Sequence, residues 1–249
     1  MEIKKITNDL VNWVRDWFDR NGKDCNAIIG ISGGKDSTVV AALCVKALGK
    51  DRVIGVMMPN GDQIDINDSI RVCEFLDIPN ITVNIKDIFD KEKEVILKAL
   101  NKEELSNQTI VNLPPRLRMT TLYAVSQTMN GRVINTCNLS EDWVGYSTRY
   151  GDSAGDVSPL ANLTVAEVRK VGIELGLPYD LVYKTPSDGL CGKTDEDNLG
   201  FTYDALDTYL RTGICDPDIK EIIDKKHRNN KFKMEAMESF KYGEIKAEK

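Results

Sequence analysis

The chain has 249 residues, 41% of them hydrophobic and 29% charged, with a net charge of -6 and a pI of about 5.1. That is material for one large or two small globular domains, and the acidic balance excludes a nucleic-acid partner gripped through its phosphates, because the only basic run is KKHRNNKFK at 225–233. The six cysteines form no C-x-x-C pair, no 18-residue apolar stretch occurs and no secretory leader pattern opens the chain. The expectation is a reduced cytoplasmic protein with neither a zinc site nor a disulfide framework, and no membrane partner.

In chain order, MEIKKITNDLVNWVRDWFDR has the apolar spacing of an amphipathic helix with charges throughout. β-rich runs follow at 27–31 (AIIGI), 53–58 (VIGVMM), 81–85 (ITVNI) and 132–136 (RVINT). Helical patterns lie between them, near 37–48, 65–77, 87–104 and 115–129. This alternation predicts an α/β fold: a doubly wound parallel sheet flanked by helices, Rossmann-like, in a single domain without repeats or low-complexity linkers. Ligands of such sheets bind beyond the carboxyl ends of the strands, where GISGG and NTCNLSE both lie. Later come two Gly-rich polar loops, near 140–160 and 183–197. In the helix LPPRLRMTTLYAVSQTM, apolar residues at 113, 117, 119, 122, 125 and 129 serve either a partner or the protein's own core.

The stretch GISGGKDS, Gly30 to Ser37, resembles a phosphate loop but fails the Walker pattern twice: Ile29 stands where the first Gly belongs, and Asp36 follows Lys35. Ser32, Gly33 and Gly34 still allow a sharp turn that presents backbone N–H groups at a helix N-terminus, where an anion is favoured. Asp36 beside a phosphate calls for a cation between them, so the loop suggests a nucleotide with Mg²⁺. The alternative is an ordinary glycine turn with Asp36 as helix cap.

SGGKDS, PRLRMTTLY (115–123), NTCNLSE (135–141), GYSTRYGDSAGDVSPL (145–160), KTPSDGL (184–190) and TDEDNLGFTYDALDTYL (194–210) together resemble the ammonia-dependent NAD synthetases. These are N-type ATP pyrophosphatases with the fingerprint SGGxDS. The resemblance implies a ligase that amidates deamido-NAD with free ammonia through an acyl-adenylate, releasing AMP and pyrophosphate. It also implies a homodimer and no glutamine amidase domain.

The resemblance assigns ATP to the loop residues Gly30, Ile31, Ser32, Gly33, Gly34, Lys35, Asp36 and Ser37, together with Thr136 and Ser187. It assigns Mg²⁺ to Asp36 and Glu141, and ammonia to Asp152, which alternatively reads as a turn cap. Deamido-NAD goes to Arg116, Arg149, Asp156, His227 and Arg228, although His227 and its basic neighbours also read as a solvated helix end. One departure is Val165, where the family carries a lysine near the ATP phosphates. Lys35 is a candidate replacement with a catalytic role, and Arg169, one turn beyond Val165, is another. Competing readings are another PP-loop enzyme that adenylates a nucleobase or tRNA, and a nucleotide-binding module without catalysis.

Overall fold

A computed structural model describes residues 3–63, 66–183 and 195–243. Its strands β1 (Asn26–Gly30), β2 (Val53–Met57), β3 (Asn80–Thr82) and β4 (Gly131–Val133) pair in parallel in the order β3-β2-β1-β4. Helix α1 (Ile3–Asn21) precedes the sheet. Crossovers are made by α2 (Lys35–Leu48), α3 (Ile66–Leu76), and the pair α4 (Lys86–Leu100) and α5 (Asn107–Thr128). After β4 come α6 (Leu139–Val144), α7 (Val165–Glu174), α8 (Tyr179–Val182), α9 (Asp195–Leu199), α10 (Tyr203–Thr212) and α11 (Pro217–Asn230).

Both faces of the sheet are covered, so the central strands read as unbroken apolar runs. Ala27 and Ile29 of β1 join Val14, Phe18, Val40, Leu43, Val171 and Leu181 on one side. Ile28 points the other way, to Ile54, Val56, Ile85, Leu113 and Leu117. A third cluster, Val144, Val165, Tyr203, Leu206 and Ile223, joins α6, α7, α10 and α11 beyond the sheet.

Four expected boundaries move: the strand expected over 81–85 ends at Thr82, the helix expected near 87–104 ends at Leu100, and two more shift as follows. The helix expected to begin near 115 begins at Asn107, where Ser106 Oγ caps it by accepting the Thr109 N–H. Pro114 and Pro115 therefore lie inside α5, and the N–H groups they lack would have bonded the carbonyls of Ile110 and Val111, exposed residues that water can reach. The strand expected over 132–136 ends at Val133. Ile134 still bonds Ile28 and bridges Val157, and the Asn135 side chain then takes the chain out of the sheet by bonding the carbonyl of Asp152 at 2.8 Å.

Because β2 and β3 extend from one side of β1 and β4 from the other, the chain reverses direction between β1 and β4 and leaves a crevice at their carboxyl ends. The segments leaving that crevice are fastened by one buried network. Ser140 Oγ donates to Asp207 Oδ1 at 2.5 Å and accepts from the Val165 N–H, while Asp207 Oδ2 accepts from the Ala166 N–H at 2.8 Å. Asp207 and Ser140 thus each occupy one orphan donor at the positive end of α7. Asp207→Ala leaves a buried hydroxyl and one N–H group, that of Ala166, short of an acceptor, and we expect a loss of about 2–4 kcal/mol in urea unfolding. Unchanged stability would contradict that role.

Candidate active site

The loop leaving β1 is shaped by Gly33. Its φ of +77° suits glycine, and a Cβ there would come within 2.8 Å of the Asp68 Cβ and 3.0 Å of the Ser69 backbone nitrogen. Gly30 ends the strand, and the Ile31 N–H remains in the ladder, bonded to Val56. Beyond it the Ser32 N–H donates to Ser37 Oγ and the Gly34 N–H to Ser32 Oγ, both at a long 3.3 Å. Such bonds are weak, and an anion accepting from the same donors displaces them readily. Gly34 caps α2 without any side-chain hydrogen bond, so the first turn of the helix is open to an anion.

Asp36 is not the cap. Its Oδ1 accepts from Asn138 Nδ2 at 3.0 Å, and its Oδ2 from Lys35 Nζ at 2.8 Å. Asn138 is fully buried and itself caps α6, accepting the Glu141 N–H. One side chain therefore joins the loop after β1 to the loop after β4. Asn138 was not among the residues singled out from the sequence, although the Asn-x-x-Glu spacing ahead of α6 is a readable cap signal.

Lys35 turns inward. Its side chain is 4% exposed, with Nζ 3.7 Å from Glu141 Oε1 and 5.8 Å from the Tyr203 ring centre. Burial alone would lower its pKa, but the Asp36 and Glu141 carboxylates outweigh both that and the repulsion of Arg169, and hold the ammonium above its ordinary value. Val165, by contrast, is buried in the apolar cluster of Val144, Leu206 and Ile223. Of the two proposed replacements for the missing cation, Lys35 lies between the carboxylates. Arg169 lies near enough to repel Lys35 and stacks on Tyr183 at 5.5 Å.

Asp36 and Glu141 thus converge on one cation, and carboxylate oxygens so placed are the donor chemistry of a Mg²⁺ site. Among the described residues no group of three or more His, Cys, Asp or Glu side chains that could hold a metal assembles. Thr136 is half-buried on the same loop. Ser187 and the KTPSDGL segment lie outside the described residues.

Asp152 is held by its own turn, with Oδ1 accepting the Thr148 N–H at 2.7 Å and its carbonyl accepting from Asn135 and the Cys137 thiol. The residue reaches solvent, yet enough protein surrounds the carboxylate for desolvation to outweigh the Thr148 bonds and the Lys233 charge, so its pKa is raised. Asp142, which the sequence did not single out, is the more perturbed. Burial first, and then the Asp152 charge, push it up to about 6, and its Oδ1 finds no hydrogen-bond partner among the described residues. Nearby, Cys137 is buried and its thiol pKa is raised well above the usual range by burial and then by the surrounding carboxylates, leaving it unreactive.

The residues assigned to the dinucleotide surround the 145–156 loop. Asp156 Oδ2 accepts the Val133 N–H at 2.7 Å and Oδ1 the Tyr123 hydroxyl at 3.3 Å, which ties this loop to β4. Exposed Arg116 donates to the Arg149 carbonyl, while the Arg149 guanidinium stacks between Tyr150 and Phe232 and donates to the Glu235 carbonyl. His227 is no free surface group. Its ring stacks on Trp143 at 4.0 Å, and Nδ1 must carry the proton because it donates to the Trp143 carbonyl at 2.8 Å. With Asn230 bonding Val144 and Lys233 bonding Gly145 and Ser147, the chain end holds the last carbonyls of α6 and the turn after it. Arg228 is exposed.

A parallel sheet with a glycine turn, an open helix N-terminus and two carboxylates at its switch point defines an adenine-nucleotide-binding α/β protein of the PP-loop kind. The chain matches the NAD synthase family over residues 6–248 and belongs to that family. It is 39% identical over 211 residues to the NH3-dependent NAD+ synthetase of Pyrococcus furiosus, covering 84% of this chain and 78% of that one. To the enzyme of the same name from Finegoldia magna it is 34% identical over 244 residues, 97% of this chain and 98% of that one. Among solved structures it resembles the NMN synthetase of Francisella tularensis, with a TM-score of 0.86 and 33% identity over 97% of this chain and all of that one. The NH3-dependent NAD synthetase of Campylobacter jejuni, in complex with nitrate, gives 0.77 and 29% over 97% and 100%.

Asp142 supplies a pH-dependent stability test. Its folded pKa of about 6 exceeds the unfolded value, so the folded chain holds the extra proton, and stability falls as pH rises from about 4 to about 6. Above that range the ionised group carries the whole penalty. Asp142→Asn should therefore stabilise the protein by roughly 3 kcal/mol at pH 7.5, and the gain should vanish near pH 4 in urea titrations. A gain independent of pH would show that charge burial is not its source.

Proposed function

We propose that this chain makes NAD by ATP-dependent amidation of deamido-NAD with free ammonia, through an acyl-adenylate. The observation that carries the reading is the meeting of Asp36 and Glu141, from two different strand ends, around one cation beside an anion-ready helix terminus. The nicotinate carboxylate attacks the α-phosphorus of ATP, and the bond to the pyrophosphate oxygen breaks. Ammonia then attacks the acyl carbon, AMP leaves, and one proton is lost from nitrogen.

The backbone N–H groups of Ser32, Gly33 and Gly34 cradle phosphate, with Gly30, Ile31, Ser37, Thr136 and Ser187 along the ATP and Lys35 adding a cation. Asp36 and Glu141 would hold Mg²⁺, which would supply charge neutralisation to the triphosphate when bound. Asp152, its pKa raised, orients ammonia and takes the proton. Arg116, Arg149, Asp156, His227 and Arg228 hold deamido-NAD, the guanidinium groups on its phosphates. The clamp of the chain end on α6 supports that site by fixing the loop that carries Asp152.

The likeness to an NMN synthetase favours a second reading, amidation of nicotinate mononucleotide. Relative kcat/KM separates the two: we expect deamido-NAD to be preferred, and a higher value for the mononucleotide would reassign the substrate.

The protein is proposed to act in the cytoplasm as a homodimer; among the described residues no helix is long and apolar enough to cross a membrane. Leu113, Leu117, Leu122 and Val125 of α5 pack into the chain's own core, but Ile110, Val111 and Met129 are exposed, as are Val95 and Leu100 of α4. A surface of this kind suits a second copy. Light scattering should give twice 27.9 kDa, and a 27.9 kDa species at all concentrations would refute the dimer.

Asp36→Ala and Glu141→Ala should each reduce pyrophosphate release by at least about a hundredfold, as expected for loss of a charge-stabilising group, while the circular dichroism spectrum stays wild-type. Wild-type rates at ordinary Mg²⁺ would remove the metal from this pair.

A further inference from the structure

The space between Asp36 and Glu141 is already filled. Lys35 Nζ is 2.8 Å from Asp36 Oδ2 and 3.7 Å from Glu141 Oε1, with the Tyr203 ring 5.8 Å away as a further wall. The Lys35 side chain is 4% exposed and each carboxylate side chain 18%, so bulk water screens the group poorly. A divalent ion and an ammonium cannot both stand between the same two oxygens, because like charges at such a distance in a partly dry site repel strongly. Free Mg²⁺ keeps several waters and surrenders them reluctantly, which adds to its disadvantage against a tethered cation.

We propose that Lys35 is the resident counter-ion of the Asp36–Glu141 pair in the nucleotide-free enzyme, so that free divalent metal is excluded and metal enters only together with a polyphosphate. The incoming phosphate at the N-terminus of α2 gives the ammonium a second anionic partner, and its departure from the carboxylates opens the metal position. Lys35 begins α2 and the loop before it contributes the phosphate-facing N–H groups, so a side-chain rotation suffices for the exchange. The inference rests on the reading that Asp36 and Glu141 hold the metal.

The test is Mn²⁺ binding by electron paramagnetic resonance, with and without α,β-methylene-ATP, on the wild type, Lys35→Met, Lys35→Arg and Glu141→Gln. The wild type is expected to bind Mn²⁺ at least about tenfold more weakly without nucleotide than with it, since one lost charge-assisted contact is worth about that factor. Lys35→Met should bind Mn²⁺ without nucleotide, and Lys35→Arg, which keeps the charge, should exclude it as the wild type does. Equal affinity of the wild type with and without nucleotide would overturn the proposal, a result that does not require any variant to fold. Equal nucleotide-free affinity of the wild type and Lys35→Met would overturn it as well. In both cases a loss of binding in Glu141→Gln would leave the metal assignment standing. Mn²⁺ uptake with nucleotide that is indifferent to Glu141→Gln would overturn the metal assignment and the proposal together.

Discussion

Two carboxylates brought close together in a poorly hydrated crevice repel, and the architecture around Asp36 and Glu141 is organised by that constraint. Neither residue lies in a strand. Each sits in the first turn of a helix that follows one, Asp36 on α2 after β1 and Glu141 on α6 after β4. The parallel pairing of β1 with β4 brings these turns side by side, and the Asn138 side chain holds them together by capping α6 and donating to Asp36. In the free chain the repulsion is relieved by the Lys35 ammonium, and in the proposed working complex by a metal with polyphosphate. The same positions that make the pair costly to fold make it useful against a tetra-anionic substrate.

The rest of the molecule fixes this pair from behind. Asp207 binds the start of α7 to Ser140, one residue before Glu141. At the far end of α6, His227, Asn230 and Lys233 take the terminal carbonyls, and Gly145 is required because a Cβ there would overlap the Asn230 side chain at 2.1 Å. A six-residue helix has little stability of its own, so α6 owes its position to these contacts at both ends. The part of the chain beyond the sheet thus supports the candidate active site, though its residues come from roughly 60 to 90 positions further on.

Much of the fold was legible because period and punctuation are local properties. AIIGI and VIGVMM announce buried strands, and SGG announces a turn into a helix. Pro114 and Pro115 hid the start of α5, since their helix-breaking tendency is local while the packing of Leu113 and Leu117 that overrides it is tertiary. The candidate site was legible only as a set of residue types. Lys35 at the start of a helix can point to water or inward, and only the arrival of Glu141 from 106 positions away decides it. Asp142 gave no signal, because its perturbation comes from burial and from the fold bringing Asp152 near. His227 read as a helix-end residue, whereas its stacking on Trp143 depends on α11 packing across α6. Val165 read as a missing cation, and the structure makes it part of an apolar cluster whose dryness supports Tyr203 beside Lys35.

The central claim is that the crevice between β1 and β4 activates a carboxylate by adenylation, and isotope exchange tests it without the second step. With labelled pyrophosphate, ATP, Mg²⁺ and deamido-NAD, and with ammonium omitted, label should appear in ATP, because the acyl-adenylate forms and reverts. Label in ATP without deamido-NAD, or release of ADP and phosphate in place of AMP and pyrophosphate, would contradict the account.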